Sequence, residues 1–201
     1  MGRTSDAKER LMQAAAQLIH TRGYNAVGVQ DICRLADVKK GSFYYFFDSK
    51  ADLVLAVLEL NLEELKAQLA SDKATGQPAL VRLQQLVTRM RERYIGPDMA
   101  TGPRVFGCPI GNLAVEVSTL DERLRRGTAL VFERLEGAIA DLLVEAVSEG
   151  ALAPHDSRQR ARELMAFVQG AAVLAKAANR PEIIDDLIER LPALTASLPS
   201  V

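Results

Sequence analysis

The stretch ICRLADVKKGSFYYFF, residues 32–47, constrains the fold more than any other part of the chain. Ile32, Leu35 and Ala36 recur at helical spacing and face inward, Asp37 and Val38 break the pattern, and Lys39 to Phe47 resumes it with an aromatic-rich run. The spacing predicts a short helix over Val29–Ala36, a tight turn and a helix over Lys39–Phe47. Two such helices match a helix-turn-helix, whose second helix enters the major groove of DNA. Lys39, Lys40, Gly41, Ser42, Tyr44 and Tyr45 are the residue types that such a helix needs near its N-terminal end. Lysines neutralise phosphates, hydroxyls and backbone N–H groups hold the register, and a glycine allows close approach. Phe43 and Phe47, four apart, are expected to pack into a small core with Ile32 and Leu18.

Upstream, Leu11, Ala15, Leu18 and Ile19 share one face of a helix over Ser5–Arg22 that Gly23 ends. Three helices in under fifty residues predict a small unit, residues 1–49. The formal net charge of −1 gives no global sign of a polyanion partner, but residues 1–50 carry +3 and the remainder −4.

Asp48-Ser49-Lys50 caps a connector helix over residues 50–72, carrying Leu53, Val57, Leu60 and Leu65. A polar loop, SDKATGQP, leads to Pro78 at the first turn of a helix with Leu83, Val87, Met90 and Tyr94. IGPDMATGPR, residues 95–104, reads as irregular. Asp121 to Glu149 is a long helix apolar on two sides: Val131, Leu135, Ala138 and Leu142 form one stripe, Phe132, Ile139, Leu143 and Val147 another. One stripe can face the chain's own core and the other a partner subunit; the second is assigned to the partner. Ser157 to Asn179 forms a comparable helix, and Pro181 starts a short last one. With no strand pattern, the expected class is all-α, with residues 50–201 as one helical domain. The start, MGRTSDAKER, lacks an apolar signal region and no apolar run reaches about 18 residues, so a soluble cytoplasmic chain without membrane contact is expected.

Residues 23–54, GYNAVGVQDICRLADVKKGSFYYFFDSKADLV, resemble the TetR family of bacterial transcriptional repressors in order and without gaps. The resemblance implies a homodimer of two-domain helical subunits, each with an N-terminal domain for double-stranded DNA and a C-terminal domain for a small-molecule effector and dimerisation. The positions matching the family's DNA-contacting residues are Val29, Gln30, Lys39, Lys40, Gly41, Ser42, Tyr44, Tyr45 and Lys50. Two depart from the family's habit. Val29 stands where Thr or Ser is usual, which loses a phosphate-binding hydroxyl or moves the contact to Gln30. Asp37 stands where Gly is usual, and aspartate tolerates left-handed backbone well enough for the turn to survive.

The two cysteines lie 75 positions apart with no CxxC, and His20 and His155 are the sole imidazoles, so neither a disulfide scaffold, a metal site nor a cofactor is expected. Cys33 reads as a small buried hydrophobe. Cys108, in RVFGCPIGNLAVE, precedes Pro109, a residue favoured at the first helical position. The thiol therefore reads as the N-cap of a helix to about Leu120, where unpaired N–H groups favour the thiolate. Ile110, Leu113, Val117 and Leu120 make that helix's packing stripe, while Cys108, Asn112 and Glu116 share a polar edge. GCPIGNLAVE looks like the GC…N…E segment of a TetR subgroup that responds to electrophiles and acrylate-like molecules. In that subgroup the matching helix lines the effector cavity and a lysine, here Lys176, is frequent in the penultimate long helix. Lys176 can approach either Cys108 or Glu116. Tyr94, Phe106 and Gln169 complete the pocket candidates. Three alternatives stand beside this reading: the first is an inert Cys108 in a pocket that senses without covalent chemistry, and the second is Cys108 as an enzyme's nucleophile, for which neither histidine is placed as an evident base. A helical interaction module that binds no DNA is the third.

Overall fold

The computed structural model describes residues 2–98 and 102–197. Its helices are α1 (Gly2–Arg22), α2 (Val29–Ala36), α3 (Lys40–Phe46), α4 (Lys50–Ala74), α5 (Ala79–Tyr94), α6 (Pro109–Val117), α7 (Glu122–Ser148), α8 (Ser157–Ala178) and α9 (Glu182–Ser197). Between α5 and α6 lies an antiparallel hairpin of β1 (Ile95–Asp98) and β2 (Gly102–Val105), paired Ile95 to Val105 through Asp98 to Gly102. The hairpin corrects the expectation of irregular chain over 95–104; residues 99–101 lie outside the described residues.

The chain divides into two compact units: residues 1–65 with 109–131, and residues 66–108 with 132–201. The division does not fall at 49/50. The first half of α4, all of α6 and the start of α7 join the N-terminal helices, because Leu53, Leu58, Leu113, Val117 and Leu124 bury their side chains in one core with Leu11, Leu18, Val27, Ile32, Phe43 and Phe47.

In the first unit α1 packs on α2, α3 and α6. Gly23 ends α1 at φ 90°, in the left-handed region that suits glycine. The Asp31 carboxylate turns back to accept the Gly28 N–H at 3.1 Å, which closes the start of α2. At its end Asp37 adopts φ 51°, ψ 50°, its own N–H donating to Arg34 and that of Val38 to Cys33. The expected left-handed turn thus forms on aspartate. Leu35 departs from its expected inward position and is exposed, since α2 is covered on the side of Ile32, Cys33 and Ala36. Ser49 caps α4 as expected, its Oγ accepting the Asp52 N–H at 3.2 Å and donating to the Asp52 carboxylate at 2.6 Å.

In the second unit α9 packs on α5 and α8. The Glu149 carboxylate accepts the Ala79 N–H at the start of α5, and Glu145 pairs with the buried Arg82 and with Lys73. Arg91 meets Asp185 through two hydrogen bonds of 2.8 and 2.9 Å, tying α5 to α9. Among the described residues no helix is long and apolar enough to cross a membrane, and no group of three or more His, Cys, Asp or Glu is placed to hold a metal ion.

Candidate functional site

α3 has one buried side chain and an open outer face. Phe43 is fully buried, with the Phe47 and Tyr44 rings packed at centroid distances of 5.9 and 5.2 Å. Lys39 lies at the N-cap in extended backbone and Lys40 opens the helix, both exposed along with Gly41 and Tyr44; Tyr45 reaches 75% exposure. A Cβ placed on Gly41 would meet nothing within 4 Å. Nothing among the described residues therefore requires glycine there, whereas close approach by an outside surface would. Gln30 is exposed; Val29 and Ser42 are half-buried. Two lysines, two tyrosines and a bare stretch of helix backbone thus share one solvent-facing end of α3, a surface that can neutralise phosphates and reach base edges.

Lys50 has a different setting. Its Nζ donates to the carbonyls of Tyr24 at 2.7 Å and Val27 at 2.9 Å and lies 3.8 Å from the centroid of the Tyr24 ring. Burial lowers its pKa, and the nearby Glu116 carboxylate opposes that shift. Its ammonium is engaged inside the unit, a role that sequence reading does not reveal because Tyr24 and Val27 are more than twenty residues away.

Of the seven expected effector residues, the structure brings Cys108, Tyr94 and Gln169 together. The Tyr94 carbonyl accepts the N–H groups of Phe106 at 2.7 Å and Gly107 at 3.1 Å, so the chain leaving the hairpin folds back over the end of α5. Gly107 takes φ 78° at that bend. The hairpin is fastened to α8 by Asn179, whose Oδ1 accepts the Val105 N–H at 2.9 Å and whose own φ of 51° ends the helix. Cys108 is thereby buried against α8, where Gln169 Nε2 donates to its Sγ at 3.4 Å. Tyr94 is buried too, and its hydroxyl has no hydrogen-bond partner of good geometry among the described residues. Burial first, and the Cys108 sulfur second, raise its pKa, so the phenol stays a neutral donor. Phe106 is half-buried on the hairpin with its ring against Gly96.

Asn112 and Glu116 belong to the first unit, and Glu116 does not continue a polar cavity edge: its carboxylate accepts the Tyr24 and Asn25 N–H groups, each at 3.1 Å. Lys176 is exposed on α8. Leu120, expected on the packing stripe of α6, is exposed because the helix stops at Val117. Cys33 is buried, and burial pushes its thiol pKa up while Lys40 acts in the opposite sense.

The proposed partner-facing stripe also needs correction. Ile139 is 2% exposed and Leu143 fully buried, sharing the covered side of α7 with Leu142 and Ala146; Phe132 and Val147 are half-buried. The two apolar stripes are parts of one broad buried arc. Among the described residues, the exposed large apolar side chains in this unit are instead Val81 on α5, Val144 on α7 and Phe167, Val173 and Leu174 on α8. Phe167 and Leu174, seven apart, fall on the same helix face.

Two family models match the sequence: the bacterial regulatory proteins of the tetR family over residues 11–57, and the tetracyclin repressor-like C-terminal domain over residues 79–191. The transcriptional regulator AcuR of Cereibacter sphaeroides is 33% identical over 177 residues, covering 88% of this chain and 79% of its own length. The transcriptional repressor DhaR of a Mycobacterium species is 30% identical over 194 residues, 94% of this chain and 91% of its own. Among solved structures, the regulatory protein TetR from Rhodobacter sphaeroides superposes with a TM-score of 0.79 at 29% identity, covering 94% of this chain and 98% of that one.

Proposed function

Because this chain belongs to the TetR family of bacterial transcriptional regulators, we propose that it is a homodimeric repressor, released from a palindromic operator when a small molecule reaches the residues around Cys108. The observation that carries the DNA-binding part is the outer face of α3, where Lys39, Lys40, Gly41, Tyr44 and Tyr45 are exposed while Phe43 anchors the helix. Val29, Gln30 and Ser42 flank that face, and Lys50 supports the turn behind it. In a two-fold dimer the recognition helices address half-sites about 34–36 Å apart on one side of the duplex. Footprinting on the DNA upstream of the protein's own gene tests this: a protected inverted repeat is expected, and absence of any protected repeat sinks the operator reading.

For dimerisation, the exposed Phe167 and Leu174 on α8, with Val144 on α7, offer the apolar surface. Leu174→Glu places an unpaired charge there and should raise the dimer dissociation constant by on the order of a hundredfold. Analytical ultracentrifugation reads this directly, and an unchanged dimer rejects the surface.

Effector sensing is assigned to Cys108, Tyr94 and Gln169. The resemblance of GCPIGNLAVE to the electrophile-responsive subgroup supports a covalent step: the Cys108 thiol gives its proton to water, the thiolate adds to one carbon of an electron-poor alkene as the C=C π bond breaks, and the adjacent carbanion takes a proton back from water. Occupancy then favours a dimer state that cannot span both half-sites, by as much as the effector prefers that state. Cys108→Ser should leave operator affinity within about twofold of wild type, since Cys108 is remote in sequence from α3, yet abolish release by N-ethylmaleimide. Mass spectrometry should find Cys108 alkylated before Cys33. The buried Tyr94 hydroxyl, without a hydrogen-bond partner of good geometry among the described residues, favours a second reading, non-covalent binding of a molecule with a hydrogen-bond acceptor. Release that survives Cys108→Ser and vanishes in Tyr94→Phe selects it.

A further inference from the structure

We infer that Glu116 is a positioning residue for operator binding: from α6 it holds the turn between α1 and α2, and through that turn the helices that read DNA. The inference rests on the DNA-binding reading above. The turn runs from Gly23 to Gly28, and ionic groups grip both kinds of its backbone polar group. Glu116 Oε1 accepts the Tyr24 N–H and Oε2 the Asn25 N–H, both at 3.1 Å. From α4, Lys50 Nζ donates to the Tyr24 and Val27 carbonyls at 2.7 and 2.9 Å. Tyr24 is held through its N–H, its carbonyl and its ring, which lies 3.8 Å below the ammonium.

Gly23 shows how closely the carboxylate fits. A Cβ on that residue would stand 2.7 Å from Glu116 Oε1, and the residue already has φ 90°. The site therefore admits glycine and little else. Gly23 is itself the stop of α1, its N–H donating to the Ile19 carbonyl at 2.9 Å. At the far end of the turn Val27 is buried in the core and Gly28 caps α2. Two residues further, Val29 and Gln30 begin the DNA-facing surface, and the left-handed Asp37 passes the orientation of α2 on to α3. A shift of the turn is thus a shift of the reading helices.

The test uses the full-length protein and a duplex that wild type selects from a random-sequence pool. Affinities of wild type, E116A and E116Q are measured by fluorescence anisotropy over a range of salt concentrations, at a temperature where thermal unfolding shows every protein folded. Removing a negative charge from a DNA-binding unit should by simple electrostatics tighten binding. The positioning role predicts the opposite: E116A weakens binding about tenfold with an unchanged salt slope, because the number of phosphate contacts is unaltered. E116Q, which keeps the shape and one acceptor oxygen, should lose less, and its isosteric side chain preserves a folded variant if alanine does not. Amide exchange at Tyr24 and Asn25 should accelerate in both. Variants that bind as tightly as wild type, or more tightly, overturn the inference alone. A wild-type protein that selects no duplex overturns the DNA-binding reading and this inference with it.

Discussion

Phe43→Ala should lower the stability of the protein by about 3–5 kcal/mol, the usual range for truncating a fully buried aromatic. The ring packs on Phe47 and Tyr44 and shares its core with Leu11, Leu18, Ile32 and Leu53, helices α1 to α4 all contributing. Close-packed interiors relax only partly around such a void, and marginal domains have little more stability than this to lose. Thermal unfolding should show an early loss of helical signal, with operator binding gone at 37 °C. Its neighbour Tyr45, exposed on the same helix, supplies the contrast. Tyr45→Ala should change stability by less than about 0.5 kcal/mol while still weakening DNA binding. If Phe43→Ala melts like wild type, α3 is not anchored as described.

The double variant Lys39→Ala/Lys40→Ala is the second large effect, on affinity rather than stability. Both ammonium groups stand exposed at the start of α3. If each neutralises one phosphate, log K against log salt should flatten by about 1.8, and affinity at 0.15 M salt should fall roughly 30-fold, for every duplex sequence alike. The unfolding midpoint should stay where it is, because neither side chain is packed in the core. An unchanged salt slope would place the phosphate contacts on other residues and move the proposed interface away from α3.

The first fifty residues were legible because their signals are local. Helix periodicity, the glycine after Arg22, the Ser49 cap and the two-residue break at Asp37 and Val38 each act within a turn or two of where they stand. The structure realises each of them. Pro109 marked the start of α6 for the same reason. The hairpin was hidden because IGPD and GPRV carry glycines and prolines and no alternation of apolar residues. What forms it lies outside the strands: the Tyr94 carbonyl taking two N–H groups, and Asn179, 74 positions from Val105, taking a third.

Sequence alone determined the family, the helical class, the order of the helices and the residues at the tip of α3, since each depends on neighbours a few positions away. Only the tertiary structure decided which apolar stripes face inward and where the charged side chains go. Periodicity gave α7 two apolar stripes, but a helix has no means of saying which will be covered; packing buried Ile139 and Leu143 and left Val144 in water. Glu116 makes the same point for polar groups. Its place on a helix edge was plain from spacing, but its partners Tyr24 and Asn25 stand more than ninety positions away. Only folding brings a carboxylate to N–H groups that no element of secondary structure had satisfied.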